Sequence, residues 1–66
     1  MQIQVNGEPR EVAEGATLSS LVADLRLEGS RYAIEVNEEL VPRSEHARHR
    51  LQEGDRVEVV QAIGGG

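Results

Sequence analysis

Arg56-Val57-Glu58-Val59-Val60-Gln61-Ala62-Ile63-Gly64-Gly65-Gly66 closes the chain. Val57 and Val59 alternate with Glu58, Val60 and Ala62, so the stretch reads as a strand with the two valines toward a core and the other three outward. Three glycines then end the chain. Glycine has no Cβ and lies extended in a channel too narrow for side chains, and the last group, on Gly66, is a carboxylate. The same three residues are also what a frayed terminus looks like, so the rest of the chain has to decide between a presented end and an idle one.

A strand at the end needs partners. Gln2-Ile3-Gln4-Val5-Asn6 alternates with period two, which turns Ile3 and Val5 inward. Asn6-Gly7 is a hairpin turn signal, and Pro9 to Val12 returns as a second strand, broken by Glu14-Gly15. Thr17 is a helix N-cap. Leu18, Leu21, Val22 and Leu25 come next at the spacing of one apolar stripe, and Gly29 is expected to end that segment. Tyr32, Ile34 and Val36 alternate as a third strand. Asn37-Glu38-Glu39 turns into a short strand at Leu40-Val41, which Pro42 stops. Ser44 is placed to cap a helical turn through Arg48, and Glu53-Gly54-Asp55 turns into the closing strand. One helix with one apolar stripe needs a sheet to cover. The order therefore predicts an α+β domain, a ubiquitin-like β-grasp: a mixed sheet with the first and last strands adjacent at its centre and the main helix packed on one face. Residues 1–63 are read as that domain and 64–66 as a flexible glycine tail.

Composition narrows the function. A chain of 66 residues holds one domain, and one this small buries only about 60% of its unfolded surface, leaving little room for a deep active site. Cysteine is absent, which excludes disulfides and thiolate metal sites. All seven basic residues are arginine, and the net charge is −5. That balance argues against nucleic acid and favours steering toward a basic protein surface. No apolar run is long enough to span a bilayer, and no signal peptide is visible; a cytoplasmic protein, monomeric when free, is expected.

These residues resemble the ThiS family, the sulfur carrier proteins of thiamine biosynthesis. The likeness covers nearly the whole chain. It rests on Asn6-Gly7-Glu8, the Thr17 to Leu25 helix, Val36-Asn37-Glu38, Val41-Pro42-Arg43-Ser44-Glu45, Glu53-Gly54-Asp55-Arg56-Val57-Glu58 and the terminal Gly65-Gly66. His46 departs from it, since many members carry tryptophan there. The resemblance implies that a separate ThiF-like enzyme adenylates the Gly66 carboxylate with ATP. Sulfur from a cysteine desulfurase persulfide then replaces AMP, and a ThiG-like thiazole synthase takes that sulfur from the Gly66 thiocarboxylate. The protein itself would be a co-substrate with no bound cofactor and no catalytic residue. Gly64 and Gly65 would thread the end to a buried nucleotide, with Ile63 as an apolar anchor. With no cysteine present, a sulfur carrier of this sequence has only its C-terminus to carry sulfur on.

Other candidates are weaker. Val60 and Ala62, with Ala33, form either a docking patch for the activating enzyme or ordinary scattered surface. His46 and His49, with Glu45 near, lack further metal ligands and read as solvated surface. Arg43, Arg48 and Arg50 form a local basic cluster, read first as a solvated face. Glu11, Glu14 and Glu28 have no pocket in which to act as acids or bases. The alternatives to thiazole formation are a β-grasp carrier for molybdopterin synthesis or tRNA thiolation, and a binding module whose glycines are only a loose end.

Overall fold

The computed structural model describes residues 1–27 and 29–61. The elements run β1 (Gln2–Val5), β2 (Glu8–Glu11), α1 (Leu18–Asp24), β3 (Tyr32–Val36), β4 (Glu39–Leu40), a 3-10 turn (Arg43–Glu45) and β5 (Arg56–Gln61). They form one five-stranded sheet in the order β2-β1-β5-β3-β4. β1 and β5 are parallel and the other pairs antiparallel. This is the expected β-grasp, with the first and last strands adjacent.

Local chemistry explains the turns. Asn6 and Gly7 both have positive φ, 51° and 84°, and Val5 pairs directly with Glu8. A two-residue turn of that hand matches the strand twist, and glycine enters it without steric cost. Asn37 and Glu38 repeat the geometry at φ 52° and 72°, joining Val36 to Glu39. The fourth strand therefore begins at Glu39, earlier than the expected Leu40, because a glutamate fills the second turn position.

Thr17 caps α1 as predicted. Its Oγ1 accepts from the Ser20 N–H at 3.2 Å, and the Ser20 hydroxyl oxygen accepts from the Thr17 N–H at 3.0 Å. The His49 and His46 carbonyls accept from Leu18 and Ser19 at 3.0 and 3.1 Å. Three amides that a helix start leaves open are thus satisfied. The end differs from the expectation of Gly29. The helix stops at Asp24, with Leu25 as its C-cap and Arg26 in the left-handed region at φ 58°. The Arg26 N–H donates to the Ala23 carbonyl and the Leu27 N–H to that of Val22, both at 3.1 Å. This is a Schellman motif with arginine where glycine usually sits. Leu27 drives it, because the reversal carries its side chain into the core.

That core comprises Ile3, Leu18, Leu21, Val22, Leu27, Ile34, Val36, Leu51 and Val57. It lies between α1 and one sheet face. The segment from Val41 to Asp55 crosses the start of the helix, where the Leu51 N–H donates to the Ala16 carbonyl at 2.8 Å. His46 lies in this segment and is a correction to the reading of a solvated surface. It is only 5% exposed. Its Nε2 lies 2.9 Å from the Val41 carbonyl, and its ring stacks on Tyr32 with centroids 6.2 Å apart. The turn preceding it is a 3-10 turn begun by Pro42 rather than a helix capped by Ser44. That tighter winding rotates His46 inward, to the place a bulky apolar side chain would fill.

Candidate functional site

The candidate site is the end of β5 together with residues 62–66. Gly64, Gly65 and Gly66, with Ala62 and Ile63, lie outside the described residues. Their root is well defined. β5 is central because both neighbours hold it through backbone pairing, and two asparagines extend that hold. Asn6 Oδ1 accepts from the Val59 N–H at 2.8 Å. Asn37 Oδ1 accepts from the Arg56 N–H at 3.0 Å, while its Nδ2 donates to Asp55 at 3.1 Å. Asp55 is buried and also accepts from the Gln52 N–H at 2.9 Å. The left-handed backbone at Asn6 and Asn37 aims both amides at the strand. These links explain why the Asn37 turn and the Gly54-Asp55-Arg56 turn belong together. Residue spacing alone does not reveal the pairing, because the partners are 18 residues apart.

The outer face of β5 carries Glu58 and Val60. Val60 is 63% exposed, as its alternation with Val57 predicts. It pairs with Ala33 on β3, also exposed, and Glu58 pairs with Glu35. A small apolar patch therefore adjoins two carboxylates placed directly across the sheet. Like charges in that position destabilise a sheet, and neither glutamate forms an ion pair among the described residues. On the inner face, Tyr32 stands opposite Gln61. The Arg43 guanidinium lies 4.1 Å from the Tyr32 ring centre and donates to the Ser30 carbonyl at 3.1 Å.

The remaining sequence candidates disperse. Arg48 pairs with Glu45, Arg43 lies on Tyr32, and Arg50 is exposed, bridging to Thr17 only through its backbone, so the three arginines do not act as one cluster. Glu11 and Glu14 lie 3.0 and 3.9 Å from the Met1 ammonium. Glu28 lies outside the described residues. No group of three or more His, Cys, Asp or Glu that could hold a metal occurs among the described residues. No helix among them is long and apolar enough to cross a membrane.

Known proteins share this outline. The model of the ThiS family matches residues 3–66. The chain is 35% identical to the sulfur carrier protein ThiS of Escherichia coli (strain K12), over all of both chains. It is 36% identical to a thiazole synthase of Paramagnetospirillum magneticum over its full length, which is 20% of that protein. The chain thus spans about a fifth of the thiazole synthases it matches. The crystal structure of the thiamine biosynthesis protein ThiS from Geobacter metallireducens superposes with a TM-score of 0.84 at 30% identity, covering all of both chains. Matched to the ThiS family model over residues 3–66 and to a ThiS protein over the whole of both chains, the chain belongs to the ThiS family.

Proposed function

We propose that this protein carries sulfur on its C-terminal carboxylate for the thiazole ring of thiamine. The observation that supports it most is the end-to-end match to a sulfur carrier of the same length, which runs through Gly66. The Gly66 carboxylate oxygen attacks the α-phosphorus of ATP on a ThiF-like enzyme, and pyrophosphate leaves. The acyl adenylate makes a poor electrophile reactive. The terminal sulfur of a persulfide, supplied by a cysteine desulfurase, attacks the carbonyl carbon and AMP departs. A thiol then cleaves the resulting acyl disulfide and leaves a thiocarboxylate. No cysteine competes for the sulfur. A ThiG-like synthase is the proposed acceptor enzyme. Its support is a thiazole synthase that contains a stretch similar to this whole chain.

The protein's own part is presentation. Gly64 and Gly65 offer a backbone with no side chains to obstruct a channel. Val60 and Ala33, with Ala62 and Ile63, are the proposed docking surface, and the Glu35–Glu58 pair matches a basic partner.

Intact mass after incubation with ATP, the adenylating enzyme and a sulfur source tests the reading. A sulfur-for-oxygen exchange confined to Gly66 is expected. Deleting Gly66 should abolish ATP–pyrophosphate exchange while the melting curve stays unchanged. Normal exchange in that variant refutes the carrier function.

A further inference from the structure

β5 is paired unequally on its two sides. β3 accompanies it from Val57 to Gln61, but β1 pairs only at Arg56 and Val57. β1 stops there because Asn6-Gly7 turns the chain into β2. Alternate residues of a strand direct their N–H and C=O groups to the same side. The Val57 carbonyl accepts from the Asn6 N–H at 2.8 Å, and the Val59 N–H donates to Asn6 Oδ1. Both therefore face the β1 side, and Gln61 faces it too. Beyond Asn6, no strand among the described residues pairs with that side. Among the described residues, neither the Val59 carbonyl nor the Gln61 N–H has a hydrogen-bond partner.

We propose that this open edge, at Val59 and Gln61, receives an extended segment of the adenylating enzyme, which adds to the sheet as a further strand. The inference rests on the carrier reading and states how the tail is recognised. Five residues come after Gln61, and the last three are glycines. Glycines offer an enzyme only backbone N–H and C=O groups, so only another backbone or a polar side chain can hold them. An enzyme segment that pairs with the tail as a strand runs continuously onto the Gln61 N–H and the Val59 carbonyl. These groups stand at the two-residue repeat that strand addition uses. Asn6 sets the limit of the site. Its side-chain oxygen stands in for a strand at Val59, satisfies that amide in the free protein and leaves a short edge that resists self-pairing.

The test combines an encoded variant with amide exchange. Gln61→Pro removes the N–H but no bond within the sheet, a position where strands tolerate proline. The KM for this protein in ATP–pyrophosphate exchange should rise about tenfold, the cost of one backbone hydrogen bond with its desolvation. kcat and the melting temperature should hold, and Gln61→Ala should behave as wild type. In the wild-type complex, exchange of the Gln61 amide should slow by about tenfold or more. An unchanged KM in a folded Gln61→Pro protein overturns the proposal. So does a Gln61 amide that stays fast in the complex, which decides the matter alone if the proline variant does not fold. Protection of Gln61 in the isolated protein, rising with a concentration-dependent dimer, would assign the edge to a second copy and also overturn it. Wild-type protein that is never adenylated refutes the carrier reading itself, and that outcome is read without any variant.

Discussion

Replacing Glu58 with arginine should stabilise the fold while weakening the function. Glu58 and Glu35 are register partners on the outer face of β5 and β3, with no cation paired to either among the described residues. Two unit charges about 6 Å apart in water repel by about 0.7 kcal/mol. A Debye length of about 8 Å at physiological ionic strength cuts that roughly in half. Reversing one sign turns the remainder into an equal attraction, so Glu58→Arg should gain about 0.7 kcal/mol in stability. In a domain of this size that raises the melting temperature by about 3–6 °C. In about 1 M salt the Debye length falls to about 3 Å and most of the gain disappears. Melting curves at the two ionic strengths measure the effect, and KM in ATP–pyrophosphate exchange measures docking. KM should rise as stability rises, because the proposed basic partner surface would then meet a cation. A melting temperature that falls, or a gain that persists in high salt, would refute the electrostatic account of this pair. Unchanged KM would remove the pair from the docking surface.

Val60→Asp should leave the fold nearly unchanged and weaken binding to the adenylating enzyme by at least about 1 kcal/mol, since it puts an unpaired charge into an apolar contact; equal affinity in a titration makes the patch ordinary surface. Arg26→Gly should stabilise by about 0.5–1 kcal/mol, because it relieves the left-handed φ of an L-residue at the helix end. A lower denaturation midpoint would show that the arginine side chain is needed there. Leu21→Ala should cost about 2–5 kcal/mol, as Leu21 is 1% exposed, and a loss of a few tenths would contradict its place in the core. The Met1 ammonium donates to Glu11 and to the Val12 carbonyl, and the Glu11 bond foremost holds its pKa above the ordinary 8.0. Its stabilisation is complete below pH 8 and is lost as pH rises through the raised folded value. Glu11→Gln should therefore flatten the decline in melting temperature above pH 8, and an identical decline would exclude this bond as its cause.

The parts of the fold that depend on local chemistry were legible from residue order. Asn6-Gly7, the Thr17 cap and the alternation through Val57 and Val60 each carry their own signal, and together they set the sheet and its faces. The misreadings fall where a distant contact overrides a local preference. Gly29 is a good helix stop by composition, but burial of Leu27 ends the helix earlier, through a strained arginine. His46 reads as surface because its neighbours are polar, while its ring packs on Tyr32, far away in sequence. The short hold of β1 on β5 was invisible as well. It depends on how far two strands, separated by most of the chain, overlap before one of them turns.

Tyr32 is the only residue of this chain that is a tyrosine, tryptophan or phenylalanine. Every near-ultraviolet absorption and dichroism signal of the free protein therefore originates from one ring. That ring stands opposite Gln61, at the root of the tail, and touches both Arg43 and His46. The molecule carries a built-in optical reporter beside Gln61, where the described part of β5 ends. A change in tyrosine dichroism that precedes global melting would mark loosening of the 3-10 turn from the sheet, with no label introduced.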